Sequence, residues 1–258
     1  MHRHLTRVIC VASALLVCAV SSAPPAAALT GNEKFTMAVY EDFLLRAPTS
    51  SELGWWSGFL NGGGTRTAMA ANVLGDDEFK TIWVLGASQY YLGGTNSQLG
   101  TVTANLLSSG DFVASEVALL AGSTYYSQNG SSSSGYVTAL YQDVLLRNGS
   151  SSEITYWVGQ ITSGTRTRAW VARYFIRSGE SGDRRVGGTA GMTTCSSTVL
   201  TDTAAITAGT YCLVLDRLAG SGEISYWSGQ LAGPAQLPSL WSSVAGSTEY
   251  YNNAQLRF

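Results

Sequence analysis

The octapeptide EITYWVGQ at residues 153–160 returns as EISYWSGQ at residues 223–230 and as ELGWWSGF at residues 52–59. On a helical wheel of about 100° per residue, the second aromatic residue of each copy falls on one stripe with aliphatic neighbours. In the copy at 153–160, Trp157 shares this stripe with Ile154 and Ile161. The pattern predicts a repeated amphipathic helix that buries its second aromatic residue.

The similarity extends beyond this helix. Residues 40–46 (YEDFLLR) match residues 141–147 (YQDVLLR), and the sequence TRT at 65–67 returns at 165–167. A decayed copy lies between residues 90 and 126, and its ending AGSTYY returns as AGSTEYY at 245–251. Since a fixed repeat determines the architecture and strand alternation is largely missing, we expect an all-α tandem array of short three-helix repeat units. Two of the four units are well formed and two are degenerate.

The repeat spacing sets the expected boundaries along the chain. They are a signal peptide at 1–28, unit 1 at 29–85, a degenerate unit 2 at 86–130, unit 3 at 131–186, and a Gly/Thr-rich insert with a degenerate unit 4 at 187–258. In unit 2, Leu99, Val102 and Leu106 take the places of Leu53, Trp56 and Leu60.

Several local signals predict where the helices begin. The second helix of a unit opens with a capping box, Thr49 with Glu52 or Ser150 with Glu153, whereas unit 4 has Gly220 at the cap. Thr65 and Thr165 are the expected N-caps of the third helix. Asp143 and Arg147 are expected to form an exposed ion pair four residues apart.

The first 28 residues have the features of an export signal. A basic start, MHRHLTR, precedes an apolar run at 8–20 and the small residues 26–28. We expect cleavage after Ala28; a lipoprotein at Cys18 is the alternative, which Val17 disfavours. No later apolar run is long enough for a membrane helix. The two remaining cysteines, Cys195 and Cys212, are expected to form a disulfide outside the cell.

Much chemistry is excluded by composition. Both histidines, His2 and His4, lie in the signal peptide, so the mature chain lacks a Ser-His-Asp or Cys-His pair and a histidine zinc site. Phosphate-binding glycine loops and EF-hand loops are absent from the sequence. The mature chain has 13 basic and 17 acidic residues, which does not favour nucleic acid or an anionic membrane. We predict no catalytic residue, metal site or cofactor.

Catalysis by two carboxylates stays open as an alternative, because a glycosidase needs only two carboxyl groups across a cleft. The acidic residues available for it are Asp42, Glu52, Asp76, Asp77, Asp143, Glu153 and Glu223.

The first aromatic residue of each octapeptide lies opposite the buried stripe. These residues are Trp55, Tyr156 and Tyr226, and each has a glycine three residues on, namely Gly58, Gly159 and Gly229. Glycine inside a helix costs about 1 kcal/mol relative to alanine, so some gain should offset it. Either a neighbouring repeat packs closely there, or an exposed ring beside bare backbone contacts a sugar or a partner. We take the three aromatic residues as the candidate binding site.

The string Y-x-D-x-L-x-R, followed by E-x-x-x-W and G-T-R, resembles the uncharacterised family known as domain of unknown function 4214. The resemblance is clear at 35–80 and 136–182 and weaker at 86–126 and 211–252. It implies a compact helical repeat in exported and surface-attached bacterial proteins. Similar helical units resemble parts of surface-layer proteins that grip cell-surface polysaccharide. The resemblance implies no catalytic residues.

These observations favour a secreted, non-catalytic repeat protein, and they leave open whether it stays associated with the cell surface. As a glycan-binding or scaffolding module, it would have an extracellular glycan or a cell-surface protein as its partner. The alternative is a carboxylate-dependent polysaccharide hydrolase, and a purely structural secreted protein is a third interpretation. The sequence indicates no oligomeric state.

Overall fold

The structure is a computed structural model that describes residues 29–145, 147–178, 207, 210, 211, 214–231 and 237–258. The expected signal peptide lies outside these residues. So do Cys195 and Cys212, so the disulfide between them stays a prediction.

The described residues form thirteen helices and no strand, which confirms the all-α prediction. In chain order the helices are α1 Gly31–Phe43, α2 Ser50–Asn61, α3 Arg66–Gly75, α4 Asp77–Leu92, α5 Leu99–Ser109, α6 Phe112–Ala121, α7 Ser123–Gln128, α8 Ser133–Asp143, α9 Ser151–Thr162, α10 Arg168–Ile176, α11 Ser221–Gln230, α12 Leu237–Ala245 and α13 Thr248–Gln255. Helix α4 runs through residue 85, where the first two units were expected to meet, and the unit boundaries stay a prediction.

Both predicted capping boxes of the second helices are present. At the start of α2, the Thr49 hydroxyl accepts from the Glu52 amide and the Glu52 carboxylate accepts from the Thr49 amide. Ser150 and Glu153 repeat this arrangement at the start of α9. In unit 4 the Gly220 amide donates to Glu223 at 2.6 Å, so the backbone half of the box is kept.

The cap of the third helix was predicted correctly in unit 1 and wrongly in unit 3. Thr65 caps α3 and accepts from the Ala68 amide at 3.1 Å. In unit 3 the loop after Gly164 makes a further turn, in which the Arg166 amide donates to the Gln160 carbonyl. Because this turn uses two more residues, α10 begins later and Thr167 is its cap instead of Thr165.

Helices from units that are far apart in sequence pack against each other. Helix α12, near the end of the chain, packs along α3, and α13 packs on α1. Helix α6 packs along α10, and α7 contacts α8. The two related endings, AGSTYY and AGSTEYY, therefore join neighbouring units in one case and the two ends of the described chain in the other.

The side chains at these two junctions are matched. Tyr250 lies edge-on to Phe35 with ring centroids 5.8 Å apart, and its hydroxyl donates to Asp42 at 2.6 Å. Its counterpart Tyr125 lies edge-on to Tyr136, also at 5.8 Å, and its hydroxyl donates to Asp143 at 2.7 Å. The repeated first helix thus has one docking surface that two different segments occupy.

An arginine at the start of each third helix covers a second ring at the same junctions. The guanidinium of Arg66 lies 4.5 Å from the ring centroid of Tyr251, and that of Arg168 lies 4.1 Å from the ring of Tyr126. Both separations are typical of cation–π contacts. Arg168, rather than Arg166, is therefore the structural counterpart of Arg66.

The predicted core stripe is confirmed. Trp56, Trp157 and Trp227 are 8%, 9% and 9% exposed. The indole of Trp56 donates to the hydroxyl of Tyr40 at 2.9 Å, and that of Trp227 donates to Tyr211 at 3.3 Å. In unit 2 the replacements Val102 and Leu106 are also buried. The second helix therefore keeps its inner face even where the aromatic residues are lost.

Candidate functional site

The first aromatic residue of each octapeptide is exposed. Trp55, Tyr156 and Tyr226 have 62%, 57% and 61% of their surface accessible. Each ring meets the next residue, a buried tryptophan, edge to face, and the centroid separations are 4.3, 5.0 and 5.1 Å. Since such contacts favour one ring orientation, each exposed ring is supported by the core beneath it.

The glycine beside each ring faces open space. A Cβ atom built at Gly58, Gly159 or Gly229 meets no described atom within 4 Å. Among the described residues, no neighbouring repeat packs closely at these glycines, which favours the second of the two interpretations. What remains is a helix surface with an exposed ring and bare backbone side by side, at the same place in three units.

Unit 1 widens its ring surface with a neighbouring phenylalanine. Trp55 lies parallel to Phe59 with centroids 6.0 Å apart and an interplanar angle of 5°. The aromatic surface of this unit therefore consists of two nearly parallel rings on one helix.

Unit 3 widens its surface with two aromatic residues from α10. Trp170 and Tyr174 are 39% and 52% exposed, and their rings stack at 5.6 Å with an interplanar angle of 16°. Tyr174 also lies 4.9 Å from the ring of Trp157, which supports Tyr156 on its other side. This pair was not predicted from the sequence, although aromatic residues four apart on a helix share one face.

An arginine anchors the second helix in units 1, 3 and 4. Arg46 donates from both terminal nitrogens to the two carboxylate oxygens of Glu52, at 2.8 and 2.9 Å. The pairs Arg147–Glu153 and Arg217–Glu223 have the same two-bond geometry. Such bidentate pairs fix both position and orientation, so the capping glutamate also ties its helix to the preceding segment.

The expected ion pair between Asp143 and Arg147 is wrong. Helix α8 ends at Asp143, so Arg147 is not on the next helical turn. Asp143 accepts from Tyr125 instead, and Arg147 pairs with Glu153 while its guanidinium lies 4.7 Å from the Tyr141 ring. The repeated Asp and Arg therefore have separate partners.

A second glutamate completes the anchor in units 1 and 4. Glu78 accepts from Arg46 at 2.7 and 2.9 Å, and Glu249 accepts from Arg217 at 2.6 and 2.7 Å. Both glutamates lie in the first turn of a following helix, 32 residues after their arginine. Each arginine thus joins two helix starts, which the sequence analysis did not anticipate.

These ion pairs determine how the glutamates titrate. The hydrogen bonds from Arg46 lower the pKa of Glu52 to about 2, and those from Arg147 lower the pKa of Glu153 to about 2. Arg217 likewise lowers the pKa of Glu223. A general acid needs the opposite shift, toward a protonated form near neutral pH. All three glutamates are therefore fixed as anions.

The other carboxylates considered for hydrolysis also have partners within the chain. Asp42 accepts from Tyr250 and from Arg257, Asp76 accepts from the amide of Glu78, and Asp77 pairs with Lys80. Burial raises the pKa of Asp143, while the hydrogen bond from Tyr125 opposes that shift. The geometry gives each of these groups a structural contact.

Two further features bear on the class of protein. Within the described ranges, no cluster of three or more acidic, cysteine or histidine side chains is arranged to hold a metal ion. None of the described helices has both the length and the apolar character that a membrane crossing requires.

Comparison with known proteins identifies a family but no individual relative. Searches of curated proteins and of solved structures returned no match to the chain. The family model described as "Domain of unknown function (DUF4214)" matches residues 25–83 and 111–184, just over half of the chain. These two segments contain the capped second helices of units 1 and 3, their buried tryptophans and their arginine anchors. The chain belongs to the DUF4214 family.

Proposed function

We propose that this chain is a secreted, non-catalytic repeat protein that binds glycan at the bacterial cell surface. One observation carries the proposal: three units expose an aromatic ring at the same helix position, beside a glycine that opens onto free space. The contacts come from Trp55, Tyr156 and Tyr226.

Exposed aromatic rings favour this class of ligand. An aromatic side chain offers a flat apolar face, which suits the apolar face of a sugar ring, and repeated exposed rings mark an interaction surface. Glycine next to the ring leaves room for the sugar hydroxyl groups to approach the helix backbone. An alanine there would gain helix stability, so the retained glycine supports a role in contact.

The repetition favours a polymer. A single ring gives weak binding, but several similar sites on one chain bind a repeating ligand with higher overall affinity. Each site lies on a helix that is capped and tied down by an arginine, so little ordering accompanies binding. A polysaccharide fits these conditions better than a small sugar does.

The expected export signal supports an extracellular ligand, and the membership of DUF4214 is compatible with this location. The carboxylates considered for hydrolysis have structural partners, so binding without catalysis is the simpler function. Scaffolding of a cell-surface protein would use the same exposed rings and is an outcome of the test below.

A pull-down tests the proposal. Residues 29–258 would be incubated with purified bacterial cell walls, chitin and cellulose, together with a Tyr156→Ala/Tyr226→Ala variant. Leu256→Ala is the matched control, because Leu256 is 88% exposed and lies outside the three octapeptides. Circular dichroism would verify that each variant keeps its helices.

We expect the parent and Leu256→Ala to sediment with at least one polysaccharide and the double variant to stay in solution. Binding that the folded double variant retains would remove the aromatic residues from the site. A parent that binds none of the polymers would contradict glycan binding and favour a protein partner.

A further inference from the structure

The outward face of α10 combines arginine with aromatic side chains. Within α10, Arg173 and Tyr174 lie three and four residues after Trp170 and share one side of the helix with it, while Arg166 and Arg177 lie just beyond the two ends of the helix. The opposite side is buried through Val171, Ala172, Phe175 and Ile176. We call the five outward residues the α10 face.

The arginines of the α10 face have no carboxylate partner in the part of the chain that the structure describes. Arg166 lies with its guanidinium 4.0 Å from the ring centroid of Trp170, and neither Arg173 nor Arg177 forms an ion pair there. By contrast, Arg46, Arg147, Arg217 and Arg257 are all paired with acidic side chains. Among the described residues, no acidic side chain therefore neutralises the positive charge of the α10 face.

The equivalent helix of unit 1 provides an internal comparison. Helices α3 and α10 share their capping threonine and their packing against α12 or α6. Their buried positions are apolar in both, with Met69, Ala70, Val73 and Leu74 in α3. The positions in and just before α3 that correspond to the α10 face are Gly64, Ala68, Ala71, Asn72 and Gly75.

This difference shows that the fold does not require the α10 face. Both helices fill the same structural role, yet only α10 has large aromatic and cationic side chains on its outer side. Ordering an arginine side chain at the surface costs conformational entropy, and no acidic partner among the described residues offsets this cost for Arg166, Arg173 or Arg177. Contact with a ligand would account for the presence of these side chains.

We propose that the α10 face binds an anionic polysaccharide, one with carboxylate or sulfate groups along its sugar backbone. The partly exposed rings of Trp170 and Tyr174 offer apolar surface for sugar rings, next to the Arg166 guanidinium that lies over the Trp170 ring. The guanidinium groups of Arg166, Arg173 and Arg177 are suited to bidentate contact with carboxylate or sulfate oxygens. The face continues the unit 3 surface, because Trp157 contacts both Tyr174 and Tyr156.

This inference rests on the proposed function and specifies its ligand class. Glycan is favoured over nucleic acid because the expected export signal places the chain outside the cell and the mature chain is acidic overall. The α10 face is thus a local positive surface on a negative protein, which suits a polymer of sparse charge.

Binding to polygalacturonate and to its fully methyl-esterified form tests the inference, since the two polymers share one sugar backbone and the methyl ester removes the carboxylate charge. The variant is Arg166→Gln/Arg173→Gln. The matched control is Lys34→Gln/Lys80→Gln, which removes the same charge from outside the α10 face. A short DNA duplex serves as a second polyanion, and chitin serves as a neutral glycan.

We expect the parent to bind polygalacturonate at least about tenfold more tightly than the ester, because two charge-assisted contacts are lost with the ester. The arginine variant should lose this preference and the lysine variant should keep it. Concentrated salt should weaken the preference by screening.

The other outcomes separate the two proposals. Equal binding to both pectins together with binding to chitin would overturn the anionic preference and leave glycan binding intact. Tighter binding to DNA than to polygalacturonate would overturn the glycan assignment of the α10 face. A parent that binds no polysaccharide would contradict both proposals.

Discussion

Tyr250 donates a 2.6 Å hydrogen bond to Asp42, a residue 208 positions earlier in the chain. Tyr125 makes the same contact with Asp143, only 18 positions away. The first helix of a unit therefore accepts the end of another unit, whether that end is near or distant in sequence. This closes the array, since unit 4 packs against unit 1 through the contacts of α12 with α3 and of α13 with α1.

The Tyr250–Asp42 contact should contribute to stability. Tyr250→Phe removes a buried hydrogen bond to a charged group, and we expect the free energy of unfolding to fall by about 1.5–3 kcal/mol. Urea denaturation measures this change. Tyr226→Phe is the control, and because Tyr226 is exposed its effect should stay within about 0.5 kcal/mol. Similar losses in both variants would argue against the closed array.

The glycines should divide into two classes. A Cβ at Gly246 would lie 2.4 Å from the backbone Cα of Thr67, so Gly246→Ala should destabilise the junction of unit 4 with unit 1 by about 1–3 kcal/mol. Gly159→Ala meets open space and should stabilise α9 by about 0.5–1 kcal/mol. Thermal unfolding would show opposite shifts.

The Gly159→Ala variant also bears on function. If the bare backbone beside Tyr156 admits the ligand, this more stable variant should bind glycan less tightly than the parent. An increase in stability with unchanged binding would show that the glycine has no role in contact.

The cap of α10 can be checked with neighbouring threonines. Thr167 accepts from the amide of Trp170 at 3.1 Å, so Thr167→Ala should cost about 1 kcal/mol. Thr165→Ala removes a hydroxyl contact at an exposed position and should change stability by less than about 0.5 kcal/mol. Chemical denaturation of both variants would test the assignment, and the reverse order would restore Thr165 as the cap.

The arginine anchor predicts sensitivity to acid. The pKa of Glu52 lies at about 2 in the folded chain against an ordinary value of 4.5. The ionised Glu52 carboxylate therefore stabilises the folded chain fully above pH 4.5, and this stabilisation is lost as the pH falls toward 2. Glu52→Gln should be less stable than the parent at neutral pH by about 1 kcal/mol, since the pair is partly exposed.

That difference should shrink between pH 4.5 and 2, which melting curves across this range would show. Glu33→Gln tests another capping box whose glutamate has no arginine partner among the described residues, and it should show a smaller effect. A constant difference between Glu52→Gln and the parent at all pH values would mean that Glu52 is not held as an anion by Arg46.

Local rules were sufficient for much of the fold. The helical period of the octapeptide identified the buried Trp157 and placed Tyr156 on the opposite side, without deciding whether Tyr156 is exposed, and the spacing of Ser150 and Glu153 identified the capping box. Each of these depends on residues within about one or two helical turns, where side-chain neighbours follow from the helix geometry.

The same local rules do not predict contacts between residues that are far apart in the sequence. Glu78, which pairs with Arg46, lies 32 positions after it in the chain. Tyr250, which donates to Asp42, lies near the other end of the chain. Spacing on one helix suggested Asp143 as the partner of Arg147, but the helix ended first. The stacked pair Trp170 and Tyr174 was visible in the spacing but needed the structure to show that it meets Trp157.

The most direct test of the account is an equilibrium binding isotherm on the polysaccharide that the pull-down selects. The parent would be compared with single alanine variants of Trp55, Tyr156 and Tyr226 and with the triple variant. We predict that each single variant weakens binding and that the folded triple variant shows none, because three similar sites share one polymer. Unchanged affinity in the folded triple variant would contradict the account.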